Sequence, residues 1–239
     1  MHDIKMSAQV IESVKRRRGG RLRAFDSIDP ARTAHVIVDL QNGFMAEGAV
    51  LEVPVAREIV PNVNRISAAL RAAGGTNVFL QYVIRDEDLV NWSTFYSGFV
   101  SAASRQRQKD AFTHGQHDWQ LWPGLDVADA DLKIDKARFS AFIPGTCDLH
   151  QMLAQRGIDT LIITGTVTNC CCESTARDAM QMNYKVLFVA DGNAAQTDDA
   201  HNATLTSLLG LYADIATTEE IIGLLQSSDE VRHIRRGAA

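Results

Sequence analysis

Cysteine is scarce in this sequence outside one cluster. The chain has four cysteines, three of them consecutive: Cys170, Cys171 and Cys172. Adjacent cysteines cannot tie distant segments together, which argues against a disulfide framework. No apolar run approaches the roughly 20 residues that a membrane-spanning helix needs, and no hydrophobic secretory segment follows Met1. These absences predict a cytoplasmic protein with no membrane partner.

A large excess of charge of either sign is also missing. The chain has 24 basic and 29 acidic side chains, a formal net charge of -5, which argues against a nucleic-acid partner. The one basic run, KRRRGGRLR from Lys15 to Arg23, precedes the first core-like segment and is predicted to be solvated. We predict an N-terminal arm over residues 1–30, extended or in contact with another subunit, and a single domain over residues 31–239.

Strand and helix patterns alternate from Ala34 to the C-terminus. The strand-like runs are AHVIVDL, NVFLQYVI, DLKIDK, DTLIITG, YKVLFVAD and ADIAT. Among the helices between them, one is predicted to open at Pro61 and another at the N-cap Thr146. The alternation predicts an α/β fold with a parallel sheet covered by helices on both faces. Residues 85–124 are irregular and aromatic, and we expect them to build part of a site and close over it.

Three strands deliver reactive side chains to one edge of this predicted sheet. Asp39 ends the first strand, Lys136 ends the third, and the cysteine cluster follows the fourth at Gly165. Ligand sites in open parallel sheets form beyond the carboxyl ends of the strands. A carboxylate, an ammonium group and a thiol are therefore expected to lie together, although each alone is typical of a cap, a surface lysine or a small buried hydrophobe.

The three adjacent thiols allow several interpretations. A structural zinc site needs spaced ligands, and the cluster with the distant Cys147 does not have that spacing. A redox pair of neighbouring cysteines is strained. A nucleophile needs only one thiol, at a helix N-terminus that lowers its pKa, with backbone donors for an oxyanion. The GTVTN turn provides that setting, so the pattern favours a nucleophile.

Three motifs resemble those of the isochorismatase-like cysteine hydrolases. GTVTNCCCESTARDA is similar to the family signature G-x-x-T-x-x-C-V-x-x-T-A-x-D-A, with Cys171 at the cysteine position. VIVDLQNGF resembles the first-strand motif, with Asp39 as the acid, and KARFSAF resembles the K-x-x-x-S-A-F motif, with Lys136 as the lysine. The resemblance extends over about residues 34–225. It implies a three-layer α-β-α sandwich around a six-stranded parallel sheet, and a homodimer or homotetramer.

The resemblance also implies a mechanism. Asp39, Lys136 and Cys171 would be catalytic, with the backbone N–H groups of Val167 and Cys171 holding the oxyanion of a thioester-forming reaction. A cis peptide bond is expected between Thr166 and Val167. Cys170 and Cys172 would then be packing neighbours of the nucleophile.

The family's branches differ in substrate. Isochorismatase proper cleaves a vinyl ether and lacks the cysteine, so Cys171 favours amide hydrolysis. Nicotinamidases carry an Asp- and His-rich metal site after the first-strand motif, but GFMAEGAVLEVPVARE contains no histidine, which predicts no metal and no cofactor. TNCCCESTARD is closest to the ureidoacrylate and N-carbamoylsarcosine hydrolases. We predict a cysteine-dependent hydrolase of a C–N bond in a small linear amide or N-carbamoyl compound. An isochorismatase-type ether hydrolase and a non-catalytic scaffold are the alternatives.

Side chains near the strand ends are candidates for the substrate pocket. They are Gln41, Phe44, Gln81, Tyr82, Trp92 and Phe139. The two glutamines could pair with a planar ureido group.

Charged candidates lie close to the same motifs. Arg85 or Arg138 could bind a substrate carboxylate through two hydrogen bonds. His114 and His117 have a spacing that could suit a metal, but a solvated loop is the preferred interpretation, and His35 is predicted to be structural.

Overall fold

The structure, a computed structural model, describes residues 1–237, with side chains described for residues 1–227. Its sheet has six strands, all parallel, in the order β3-β2-β1-β4-β5-β6. The strands are β1 (Thr33–Val38), β2 (Thr76–Tyr82), β3 (Leu132–Lys136), β4 (Thr160–Thr166), β5 (Lys185–Ala194) and β6 (Asp214–Ala216). The predicted six-stranded parallel sheet is therefore confirmed.

Ten α-helices accompany the sheet within residues 1–237. They are α1 (Ala8–Arg17), α2 (Asn42–Met45), α3 (Ala56–Ala72), α4 (Asp86–Asn91), α5 (Ser93–Gly98), α6 (Ala102–Phe112), α7 (Leu149–Gln155), α8 (Glu173–Gln181), α9 (Asp198–Leu211) and α10 (Thr218–Gly237). A short 3-10 helix covers Pro30–Arg32, and a π-helical turn covers Thr168–Cys172. None of the helices described is both long and apolar enough to span a bilayer.

The helices form layers on both faces of the sheet. On one face, strand residues such as Val36 and Leu80 pack against Leu153 of α7, Ala176 of α8 and Leu205 of α9. The opposite face is covered by α3 and α10, whose buried apolar residues pack against β1, β2, β4 and β5. Because β1 and β4 are buried on both faces, they appear in the sequence as nearly continuous apolar runs.

The strand register brings the candidate site together. In the ladder Val38 of β1 pairs with Leu80 of β2 and Gly165 of β4, and Tyr82 of β2 pairs with Lys136 of β3. The strands are neighbours and parallel, so the residues that follow them meet at one edge of the sheet.

Two predicted helix starts are wrong. Helix α3 begins at Ala56, so Pro61 lies inside it. A proline there removes one backbone hydrogen bond, but Ile59 and Val60 before it are buried in the core and extend the helix towards its N-terminus. Thr146 is not an N-cap, because its hydroxyl donates to Ile143 O at 2.9 Å and α7 begins three residues later.

The N-terminal arm folds onto the chain instead of extending. Residues 8–17 form α1, which Ser7 caps, and the Lys5 backbone N–H donates to Asn202 of α9 at 2.7 Å. The basic run is not fully solvated, because Arg18 pairs at 2.6 Å with Asp214, which is 1% exposed. An isolated buried carboxylate is costly, so this arginine stabilises the attachment of the arm to β6. Contact of the arm with a second subunit stays a prediction.

Candidate active site

Asp39 follows β1 in an unusual backbone conformation. Its φ is 54°, a left-handed value that few residues other than glycine adopt, and its N–H donates to Leu80 O at 3.1 Å. Gly165 passes close to the same point. A Cβ atom on this glycine would lie 2.1 Å from Val38 O. Only glycine therefore lets β4 approach the end of β1 closely enough to bring its turn beside Asp39.

Lys136 meets Asp39 in the protein interior. Its Nζ lies 2.8 Å from Asp39 Oδ2, and both side chains have 0% exposure. The ammonium also donates to Arg138 O at 2.9 Å and lies 5.1 Å from the centre of the Tyr82 ring. Lys136 and Cys171 both adjoin the carboxylate. Lys136 contacts Oδ2, and no described residue donates a hydrogen bond of regular geometry to Oδ1.

The charge states of this pair follow from burial and mutual attraction. Burial raises the pKa of Asp39, and the charge and hydrogen bond of Lys136 act against that rise. For Lys136, burial acts to lower the pKa, but the neighbouring Asp39 and Cys171 outweigh it and the net pKa is raised. The lysine is therefore held as a cation, and Asp39 is a stronger base than an exposed aspartate.

Cys171 lies in the π-helical turn between β4 and α8 and is 4% exposed. The peptide bond between Thr166 and Val167 is cis, as the resemblance predicted. Two contacts fix this segment. Thr168 Oγ1 lies 2.9 Å from His201 Nδ1. The hydroxyl of Thr175, farther along α8, accepts from Ala141 N at 3.2 Å, which joins the cysteine motif to the lysine motif.

The structure contradicts the expected low pKa of the thiol. A hydrogen bond to Cys170 and burial both raise the pKa of Cys171, and the charge of Asp39 adds to them, while Lys136 opposes them. Burial and the charge of Asp39 raise the pKa of Cys171 whether Cys170 or Cys171 donates that hydrogen bond. Cys171 is consequently a neutral thiol at rest, and it needs a base within reach before it can attack.

The other cysteines have different surroundings. Cys172 is 0% exposed and packs in the core, as expected for a packing neighbour. Cys170 is half-buried and lines the same cavity as Cys171, so its expected role as packing alone is incomplete. Cys147 lines a separate cleft, and burial raises its pKa to about 11. Within the described chain, no three His, Cys, Asp or Glu side chains converge as metal ligands.

A cavity of about 500 Å³ opens beside Cys171, in the size range of small-molecule sites. Three predicted contacts, Phe44, Tyr82 and Phe139, line it. The irregular segment contributes Phe95 and Gln108, so it forms part of the cavity wall as expected.

Sequence reasoning missed one wall of this cavity. Ala49, Val50, Leu51 and Glu52 line it, and Gln196 contributes from the loop after β5. The segment of residues 49–52 is held in place by the Gln196 side chain, which donates to Glu52 O at 2.7 Å. The apolar AVL run after Gly48 was the available signal, since apolar residues in a loop close to a catalytic acid indicate a pocket wall.

Three predicted substrate contacts lie elsewhere. Gln41 donates to Tyr82 O and Trp119 O, at 3.0 and 2.7 Å, and accepts from Tyr82 N at 2.7 Å. Its amide therefore pairs with backbone, not with a ureido group. Gln81 donates to Trp119 O at 3.1 Å and lines the cleft of Cys147. Trp92 stacks on Phe95 behind the cavity wall and lines a third cleft.

The two arginines proposed to anchor a carboxylate are also outside the cavity. Arg85 Nε donates to Asp88 at 3.0 Å, and Arg138 donates to the same carboxylate at 3.1 Å and to Ala137 O at 2.7 Å. Arg138 additionally covers the ring of Trp92.

The histidines occupy structural or exposed positions. His35 is fully buried, hydrogen-bonded to Ser67 at 3.1 Å and to Thr164 at 2.8 Å, and burial lowers its pKa to about 3. This agrees with a structural role. His114 and His117 are exposed, at 66% and 76% of their side chains.

A parallel sheet with a carboxylate, an ammonium group and a thiol at its carboxyl edge fits a hydrolase of the α/β class. The isochorismatase domain model matches residues 33–220, and the chain belongs to the isochorismatase family of hydrolases. It is 29% identical over 204 residues to a ureidoacrylate amidohydrolase of Pseudomonas savastanoi, covering 80% of this chain and 82% of that protein.

Two further comparisons bear on activity and fold. A probable inactive nicotinamidase of Arabidopsis thaliana is 30% identical over 190 residues, covering 79% of this chain and 93% of that protein. The crystal structure of a cysteine hydrolase from Pseudomonas syringae pv. phaseolicola superimposes with a TM-score of 0.73 and 27% identity, covering 84% of this chain and 95% of the other.

Proposed function

We propose that this protein is a cysteine-dependent hydrolase that cleaves a C–N bond in a small linear amide or N-carbamoyl compound. The observation that carries the proposal is the buried cluster of Asp39, Lys136 and Cys171, in which a neutral thiol adjoins a carboxylate of raised basicity. A thiol suits acyl transfer. The similarity to a ureidoacrylate amidohydrolase supports an amide or ureide as the substrate.

The proposed reaction proceeds in two stages. Asp39 takes the thiol proton, and Cys171 Sγ attacks the substrate carbonyl carbon, whose oxyanion is held by the backbone N–H groups of Val167 and Cys171. The tetrahedral intermediate collapses, the C–N bond breaks, and Asp39 returns the proton to the leaving nitrogen. Asp39 then takes a proton from water as the water oxygen attacks the thioester carbon. The C–S bond breaks, the acid is released, and Asp39 returns the proton to Cys171 Sγ, which restores the free thiol. Lys136 provides positive charge beside these steps.

Cysteine variants test the assignment of the nucleophile. Cys171→Ala should abolish ammonia release, since no other thiol lies beside Asp39 in the same position. Cys170→Ala should retain activity within about tenfold, because that thiol lines the cavity without attacking. Cys172→Ala should remain active and lose about 1 kcal/mol of stability through its small core void. A Cys170→Ala enzyme as inactive as Cys171→Ala would contradict the assignment.

The alternatives are separated by a substrate panel. Ureidoacrylate, N-carbamoylsarcosine, maleamate, nicotinamide and isochorismate are assayed for ammonia or pyruvate release. A tenfold preference for nicotinamide or isochorismate over a neutral linear amide such as 4-methylpentanamide, about 1.4 kcal/mol in transition-state binding, would place the enzyme in another branch. The complete cluster of Asp39, Lys136 and Cys171 argues against a non-catalytic scaffold, and thioester trapping by mass spectrometry tests this directly.

We also propose that catalysis needs no metal and that the protein is a homodimer or homotetramer. Dialysis against EDTA should leave activity intact, and a loss that zinc or iron restores would overturn the first proposal. Light scattering at micromolar concentration tests the second, with a monomer as the contrary result. Deletion of residues 1–20 then tests whether the arm contributes to assembly.

A further inference from the structure

Among the residues that the structure describes, no positively charged side chain lines the cavity beside Cys171. Glu52 is the one charged residue there, and it is acidic. Its carboxylate accepts from Gly48 N at 2.8 Å and lies 2.8 Å from Arg57 Nη1. The hydrogen bonds from Gly48 and Arg57 lower the pKa of Glu52, so this carboxylate is ionised at neutral pH and has Arg57 as its counter-ion.

Three cations of the surrounding elements are committed to other partners. Lys136 is fully buried against Asp39, at 2.8 Å, and is not on the wall. Arg57 donates to Met45 O at 2.6 Å as well as to Glu52. Arg138 is held by Asp88 and by backbone and lies along a different cleft. None of them faces the cavity to receive an anion.

The remaining wall is apolar or neutral. Aromatic and aliphatic side chains predominate, namely Phe44, Val50, Leu51, Tyr82, Phe95 and Phe139. The other polar side chains are the amides of Gln108 and Gln196, and Gln196 already donates to the backbone of Glu52. Neutral amides do not offset the free-energy cost of removing water from a carboxylate in apolar surroundings.

We propose, building on the C–N hydrolase function above, that the non-reacting part of the substrate is uncharged and apolar, and that the cavity rejects a carboxylate. The substrate thereby differs from ureidoacrylate, a carboxylate, for which the Pseudomonas savastanoi relative is named. An aliphatic or aromatic group on the amide or N-carbamoyl compound fits the wall of Phe44, Val50 and Phe139, where burial of apolar surface provides the binding energy.

Two amides of matched shape test this selectivity. In 4-methylpentanamide an isopropyl group replaces the carboxylate of succinamate, and the rest of the molecule is the same. The kcat/KM for ammonia release should be at least 100-fold higher for 4-methylpentanamide. Equal rates, or faster hydrolysis of succinamate, would overturn the proposal.

An added charge supplies the converse test. Gln196 is exposed at the cavity rim, so Gln196→Arg places a guanidinium there. Loss of the amide's hydrogen bond to Glu52 O affects both substrates and cancels in the ratio of their kcat/KM values. The variant should raise kcat/KM for succinamate at least tenfold relative to 4-methylpentanamide. Gln106→Arg is the matched control, because Gln106 of α6 is exposed and is not a cavity residue, and it should leave the ratio unchanged. An unchanged ratio in Gln196→Arg as well would contradict the role assigned to charge.

Binding to Cys171→Ala distinguishes this proposal from the proposed reaction. Calorimetry should show 4-methylpentanamide binding at least tenfold more tightly than succinamate. If the wild type hydrolyses neither amide but this difference in affinity holds, the C–N hydrolase function fails and the selectivity stands. If neither amide binds, or succinamate binds more tightly, the selectivity proposal fails whatever the enzyme hydrolyses.

Discussion

The buried pair of Asp39 and Lys136 allows stability to be separated from catalysis. Asp39→Asn leaves the Lys136 ammonium without its counter-ion at a position with 0% exposure. Removal of one partner from a buried ion pair costs about 3–5 kcal/mol. For a protein of this size each kcal/mol lowers Tm by about 2–4 °C. The single variant should therefore melt roughly 10 °C below the wild type, and Lys136→Met should behave similarly.

A double variant provides the matched control. Asp39→Asn combined with Lys136→Met leaves no unpaired charge, and replacement of both members of a buried pair is often neutral or stabilising. The double variant should recover most of the lost Tm. Its activity should stay as low as that of Asp39→Asn, because the proton acceptor is absent, and acid–base help of this kind contributes about 10² to 10⁴ in rate.

The assays are thermal unfolding by circular dichroism and ammonia release on the best substrate of the panel. All measurements are made well below the lowest Tm, so that unfolding does not lower the rate. Near-normal turnover in Asp39→Asn, with an unchanged spectrum, would refute the proton route. A double variant no more stable than the single variants would show that the pair is not held by charge, contrary to its burial and its 2.8 Å separation.

Further variants test the surroundings of the site. Because burial lowers the pKa of His35 to about 3, the unfolded chain binds its proton more tightly. The stabilisation that comes from neutral His35 is thus complete above pH 6.5 and falls towards pH 3, by about 2 kcal/mol at pH 5. His201, whose pKa burial lowers to about 4, adds a loss of its own in both proteins, so urea titrations at pH 7.5 and 5 should show a loss that is about 2 kcal/mol smaller in His35→Gln than in the wild type. Gly165→Ala should be inactive and lose more than about 3 kcal/mol, since its Cβ would clash with Val38 O at 2.1 Å. Gly210→Ala, in α9 with open space around it, should gain about 0.5–1 kcal/mol by the same urea assay, and equal effects of the two alanines would show that the close approach at Gly165 is unimportant.

The side chains around the cavity differ in how far a local sequence pattern predicts their position. Phe44, Tyr82 and Phe139 line the cavity, and each adjoins a motif at the end of a strand. Gln41 stands in a similar sequence position, yet its amide pairs with the backbone of Tyr82, 41 residues away. Whether a polar side chain faces a ligand or another loop depends on such distant partners, which no local pattern encodes.

The sheet itself was determined by the sequence, because buried parallel strands need nearly continuous apolar runs and helices need periodic ones. The order of the motifs likewise set which side chains reach the carboxyl edge. Tertiary structure decided what depends on distance and burial. It packed the arm onto α9 and β6, brought the loop of Val50 and Leu51 to the cavity, and kept Cys171 a neutral thiol against the expectation from its helix position. The physical reason is that pKa values and pocket walls are set by long-range contacts and loss of water, whereas strand and helix patterns are set by neighbouring residues.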